Sequence, residues 1–94
     1  MMSFASVDRI EGNIVVLEVE LINFWESNSK DFNNKATEMM DVSLEIFNLI
    51  RATPNEGEIY VVVHDNDSIS EVIYRDKVEE EERIKILESI KGDT

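Results

Sequence analysis

The run Ile14-Val15-Val16-Leu17-Glu18-Val19-Glu20-Leu21-Ile22 alternates with a period of two. Val15, Leu17, Val19 and Leu21 fall on one side of a strand and Ile14, Val16, Glu18 and Glu20 on the other, because successive strand side chains point to opposite faces. The first set predicts core. The second contains two apolar residues, Ile14 and Val16, that the core does not claim. Residues 4–10 form an earlier β-rich run, and Glu11-Gly12-Asn13 between the two predicts a hairpin turn. Gly12 is its structural residue, since Gly and Asn best tolerate positive φ. Asp8 and Arg9 are neighbours within the first strand, so they are expected to point to opposite faces and not to pair. An inward Asp8 would be a structural carboxylate bonded to backbone N–H groups near the hairpin.

Asn23-Phe24-Trp25 closes the second strand, and the polar run 26–35 predicts an exposed, mobile loop. Between Thr37 and Ile50 the apolar residues fit both a strand and a helix spacing. The reading adopted is a strand over 38–42, then a short helical turn with Ser43 as N-cap. Pro54-Asn55-Glu56-Gly57 and Asp65-Asn66-Asp67-Ser68 are turns by composition, and 59–64 and 69–75 are strands by their β-branched and aromatic content. Asp76 is the N-cap of a helix over 77–90, with Glu79 completing a carboxylate variant of the capping box and Gly92 as a stop beyond its end. Val78, Ile84, Leu87 and Ile90 form the stripe expected to dock on the sheet, and Glu79–Arg83 and Glu81–Lys85 are spaced to pair along the helix. Residues 1–94 thus predict a single, mainly β domain with a C-terminal helix. The expected architecture is a small antiparallel five-stranded barrel or bent sheet, SH3-like or OB-like, with the helix packed across an opening.

Charge narrows the partners. The 94 residues carry 21 Asp+Glu against 9 Lys+Arg, a net charge of −12. Such a chain repels phosphate backbones and anionic lipid, so neither nucleic acid nor membrane is an expected partner. No apolar run approaches the ~20 residues of a membrane span and no basic-then-apolar leader is present, so a cytoplasmic location is expected. There is no cysteine for a disulfide or a zinc-thiolate site. His64 is the only histidine; it cannot hold a metal alone, and it is expected as a partly exposed residue at a strand end. Asp65-Asn66-Asp67-Ser68 begins like a calcium loop, but Ser70 stands where the sixth-position glycine belongs and Asp76 where the final glutamate belongs. An Asx-turn accounts for the same residues. No nucleophile elbow, phosphate loop or dinucleotide fingerprint occurs, so no catalytic residue, cofactor or metal ligand is expected.

Three segments occur in a familiar order. They are Val7-Asp8-Arg9-Ile10-Glu11-Gly12-Asn13 with Val15-Val16-Leu17-Glu18, then Glu56-Gly57-Glu58-Ile59-Tyr60, then Ile73-Tyr74-Arg75-Asp76 with the charged helix 77–90. Together they resemble the small bacterial domain-of-unknown-function family 3006. Glu58 stands where that family has the Asp of a Glu-Gly-Asp step, Phe47-Asn48 where members tend to have Leu-Pro, and the loop 26–36 is longer than the family's usual connection. The resemblance implies no assigned activity and no catalytic residue to carry over. Some members are found beside or fused to metallo-β-lactamase-fold proteins of the competence-hydrolase type, an association that implies an accessory role.

The expected function is therefore a non-enzymatic accessory or protein-interaction domain, with a basic protein or a metallo-β-lactamase-fold protein as partner. Ile14, Val16 and Trp25 are the candidate interaction surface, set among Glu18, Glu20 and Glu26. The competing arrangement has the helix covering Ile14 and Val16 while Trp25 closes one end of the barrel. A small nucleic-acid-binding barrel is the alternative function, disfavoured by the charge.

Overall fold

A computed structural model of the chain describes residues 1–28, 30 and 34–92, and side chains as far as residue 89. The central part of the loop expected to be mobile, residues 29 and 31–33, lies outside the described residues. Five strands, β1 (Met2–Glu11), β2 (Ile14–Glu20), β3 (Thr37–Ser43), β4 (Ile59–His64) and β5 (Ile69–Arg75), precede one helix, α1 (Lys77–Gly92). The strands form a single antiparallel sheet in the order β3-β2-β1-β4-β5. The sheet bends without closing: β3 and β5 approach each other but remain its two edges.

Local chemistry explains most boundaries. Glu11 opposes Ile14, which leaves Gly12-Asn13 as a two-residue loop. Gly12 takes φ +59° while Asn13 stays negative, the glycine-first pattern of a type II′ hairpin turn. The strand over 38–42 extends by one residue at each end, and Ser43 caps a 3₁₀ segment, Leu44–Ile50, by accepting a bond from the Glu45 N–H at 3.3 Å. Asp76 caps α1 by accepting from the Glu79 N–H at 2.9 Å, an interaction worth about 1 kcal/mol. The capping box is only half made. The Asp76 N–H donates to the Ile59 carbonyl, and the Glu79 side chain turns to Arg83 instead. Gly92 is the last helical residue, not a stop beyond the helix.

One face of the sheet carries the main core. Val15, Leu17 and Val19 are buried there with Ala5, Val7, Met40, Tyr60, Val62 and Val72, and the 3₁₀ segment covers them through Phe47. Phe47 meets Tyr60 edge to face at 5.0 Å. Leu21 does not join this core; β2 ends at Glu20 and Leu21 is exposed. The opposite face holds a smaller cluster of Phe4, Ile59 and Val61, with Met2, Phe24 and Ile73 packed against it.

Two expectations are overturned here. A β-bulge between Val7 and Arg9 makes Asp8 an extra residue, which breaks the alternation. Asp8 is consequently exposed and pairs with its neighbour: Arg9 Nη1 lies 2.7 Å from Asp8 Oδ2, and Arg9 Nε lies 2.8 Å from Glu11 Oε1. The helix also docks differently. Val78, Ile84 and Leu87 are 69%, 53% and 43% exposed, whereas Glu79 is buried and Arg83 lies over the Phe4 ring. The docking face is thus rotated off the apolar stripe onto charged residues that find opposite charges on the sheet. Ile90, the fourth residue of that stripe, lies outside the described side chains.

Candidate interaction face

The β-sheet register builds a second surface on the side away from the main core. Ile14 stands between Glu11 and Ser43 on the neighbouring strands, Val16 between Arg9 and Asp41, and Glu18 between Ser6 and Met39. Among the described residues no helix covers this half of the sheet; α1 makes its main packing contact with β4. Ile14 and Met39 are exposed on it. Val16 is buried, contrary to its place in the expected surface, because it sits mid-strand with a paired strand on each side, at Arg9 and at Asp41. Ile14, at the turn end of the strand, has only Glu11 and Ser43 beside it. Met39 was not among the candidates, because the order of β2 and β3 is what sets it beside Glu18. Among the described residues, no cation lies within bridging distance of Glu18 or Asp41.

Glu20 belongs to a different arrangement. It is buried, accepts from the Ser27 hydroxyl at 3.0 Å, and faces Lys35 Nζ at 3.4 Å and Arg83 Nη2 at 2.7 Å. Lys35 also bonds to the Ser27 hydroxyl. One carboxylate therefore ties both described ends of the long loop, and the helix, to β2. Trp25 is 61% exposed and does not close a barrel end. It meets Phe24 edge to face at 5.3 Å, and Phe24 meets Phe4 at 5.7 Å, so the indole stands on an aromatic ladder rising from the minor cluster. Ile14 and Trp25 lie at opposite ends of β2, on the order of 20 Å apart by strand rise. The three expected surface residues thus do not form one patch.

A groove of about 560 Å³ separates α1 from the sheet, lined by Ser6, Glu58, Arg75, Glu80, Ile84 and Leu87 among others. Its charged groups Glu58, Arg75 and Glu80 are engaged with one another and with their neighbours. Glu58 accepts from the Tyr60 hydroxyl at 2.8 Å and the Asn55 N–H at 2.9 Å, and Arg75 Nη1 lies 3.1 Å away. Glu80 accepts from Arg75 Nε at 2.9 Å and Nη2 at 2.8 Å, and from the Ile59 N–H at 3.1 Å. Burial works to raise the Glu80 carboxyl, but the Arg75 and Ile59 bonds outweigh it and hold the group below the ordinary range. Burial, then the bond to Glu58, pushes the Tyr60 phenol up. The cluster clasps the start of α1 to β4 and β5.

His64 departs from expectation by being buried. Its Nε2 lies 2.8 Å from the Ser3 hydroxyl and its Nδ1 2.7 Å from the Asp65 carbonyl. Although this is a serine–histidine contact, Ser3 is fully buried and donates its hydroxyl to the Ile22 carbonyl at 2.6 Å, so the pair ties β4 to the end of β2. Asp65 makes the Asx-turn: it accepts from the N–H groups of Asp67 and Ser68 at 3.0 and 2.8 Å. Those bonds bring its carboxyl down to about 2. Among the described residues, no group of three or more His, Cys, Asp or Glu side chains is placed to share a metal ion.

No protein-family model, curated protein or solved structure matches the chain. No helix among the described residues is long and apolar enough to cross a membrane.

Proposed function

We propose that this chain is a non-enzymatic protein-interaction domain whose partner presents basic residues. The observation that carries the reading is the bare half of the sheet, where exposed Ile14 and Met39 lie beside Glu18 and Asp41, which no cation among the described residues bridges. Apolar contacts at such a surface supply affinity, while the carboxylates speed encounter and select the sign of the partner. The bonding of the groove supports a role without catalysis, since Glu58 and Glu80 hold the helix in place. The resemblance to family 3006 supports an accessory role and nominates a metallo-β-lactamase-fold protein as partner. A cytoplasmic setting accords with a chain that has no cysteine.

The nucleic-acid reading has less support. Among the described residues Arg9, Lys35, Arg75 and Arg83 are spent on carboxylates, and the net charge of −12 repels a phosphate backbone. Paired affinity capture tests the proposal, with the wild-type chain and an Ile14→Asp/Met39→Asp double variant as baits. A basic protein retained by the first and lost by the second is the expected result. Identical retained sets would overturn the reading. So would tight, salt-sensitive binding of single-stranded DNA in a fluorescence titration.

A further inference from the structure

The two edges of the sheet are not equivalent. β5 carries two register shifts against β4 and ends in Arg75, which is held by Glu58 and Glu80. β3 pairs with β2 over the seven positions Thr37 to Ser43 with no shift. Bulges and clasps blunt an edge, whereas a regular one presents a row of main-chain groups to any strand that fits.

The hydrogen-bond parity of β3 shows which groups those are. The Leu21 N–H donates to the Ala36 carbonyl at 3.0 Å, and the Leu44 N–H donates to the Asn13 carbonyl at 2.7 Å. Bonded and non-bonded pairs alternate along an antiparallel ladder. Both bonds fall in step with the pairs Val19–Glu38, Leu17–Met40 and Val15–Val42, so Glu38, Met40 and Val42 bond to β2. Thr37, Met39, Asp41 and Ser43 therefore direct their N–H and C=O groups away from β2, toward the open edge. The same four residues place their side chains on the bare sheet face, by their pairing with Glu20, Glu18, Val16 and Ile14. One edge thus offers main-chain bonds, an exposed Met39 and the Asp41 carboxylate together.

We propose that β3 accepts an extended segment of the partner, alternating apolar and basic residues, as an added strand. This inference rests on the interaction reading above and names its mode. Charge complementarity selects the occupant. A second copy of this chain would set two molecules of net charge −12 edge to edge, which repels, whereas a basic segment is attracted. A segment with Lys or Arg at alternate positions sets them all on the bare face with Asp41 and Glu18, because alternate side chains share a face, and turns its apolar residues to the face that carries the main core. Main-chain bonds provide affinity in this mode and alternate side chains provide specificity.

The test uses the full chain with a blocked peptide of alternating valine and lysine, about as long as β3. Two controls accompany it: the same peptide N-methylated along one edge, and a valine–glutamate version. The expected result is binding of the valine–lysine peptide alone. Exchange of the Met39 and Asp41 amides should then slow by about tenfold or more. Asp41→Lys should weaken binding by about fivefold, the upper end for a cross-strand charge pair. No binding of the valine–lysine peptide, or binding without protection of those amides, overturns the added strand. Equal binding of the N-methylated peptide also overturns it, yet leaves the acidic face standing as an interaction surface. Binding indifferent to both Asp41→Lys and Glu18→Lys overturns the strand and the surface together.

Discussion

Gly12 and Trp25 show what single residues contribute. At Gly12, φ is +59° and an added Cβ would meet nothing within 4 Å, so the cost of a side chain there is a backbone cost alone. Gly12→Val is expected to destabilise by about 1–2 kcal/mol, read as a lower urea midpoint at unchanged slope. This position was legible in the sequence because a two-residue turn limits its own conformations. Val16 and His64 were not legible in the same way. Both are buried among other strands, where Val16 pairs with Arg9 and Asp41 and His64 bonds to Ser3, and no local spacing reports such partners. Trp25 carries the chain's only indole, so its emission reads one site. Red-shifted emission, readily quenched by iodide, is expected from its exposure. Trp25→Ala should move Tm by no more than about 2–4 °C, as an exposed substitution in a domain of this size would.

At the scale of elements, α1 is the informative case. Its start, its cap and its strength as a helix former were visible in Asp76 and the charged run after it. Which face it docks with was not. Arg83 and Ile84 are adjacent, so their side chains differ by about 100° around the helix axis, and the choice between them depends on the sheet beneath. That sheet presents Glu20, and Arg83 reaches it at 2.7 Å. Arg83→Ala leaves a buried carboxylate short of a partner and is expected to cost about 3 kcal/mol. Ile84→Ala is expected to stay within about 0.5 kcal/mol, because that side chain is largely exposed. The two urea midpoints decide between an ionic and an apolar docking of the helix. If Ile84→Ala cost more, the apolar stripe would be the true docking face.

The whole molecule carries a net charge of −12, and its pH dependence has two opposing parts. Long-range repulsion disfavours the compact state at neutral pH and is relieved as carboxylates take up protons, so stability should rise from pH 7 toward about pH 5. Asp65 and Glu80 act in the other direction. Backbone N–H groups hold Asp65 down at about 2, and the Arg75 and Ile59 bonds overcome burial to hold Glu80 low. A carboxylate whose folded value is depressed stabilises above its unfolded value and loses that contribution as pH falls through the carboxyl range. Stability should therefore peak on the acidic side of neutrality and drop below about pH 4. Added salt at pH 7 should raise Tm, because it screens repulsion between distant exposed charges more than the buried Arg83–Glu20 pair. A Tm flat in salt would show that net repulsion is not a significant contribution.

The sequence by itself determined the features whose causes lie within a few residues. They are four runs with strand character (the run at 37–43 fits a helix as well and is settled by its pairing with β2), the positive-φ glycine of the hairpin, the Ser43 and Asp76 caps, and the Asx-turn at Asp65. Each is a bond or a steric limit between near neighbours, so composition and spacing report it directly. The tertiary structure alone decided the strand order, the bulge that turns Asp8 outward beside Arg9, and the charged docking of α1. It also decided which residues make the acidic face: it took Glu20 and Val16 away, separated Trp25 from Ile14, and added Met39 and Asp41. The reason is physical. Burial and charge compensation are set by partners far along the chain, as with Ser3 and His64 at a separation of 61 residues. A side chain's own neighbours in sequence cannot say whether such a partner will arrive.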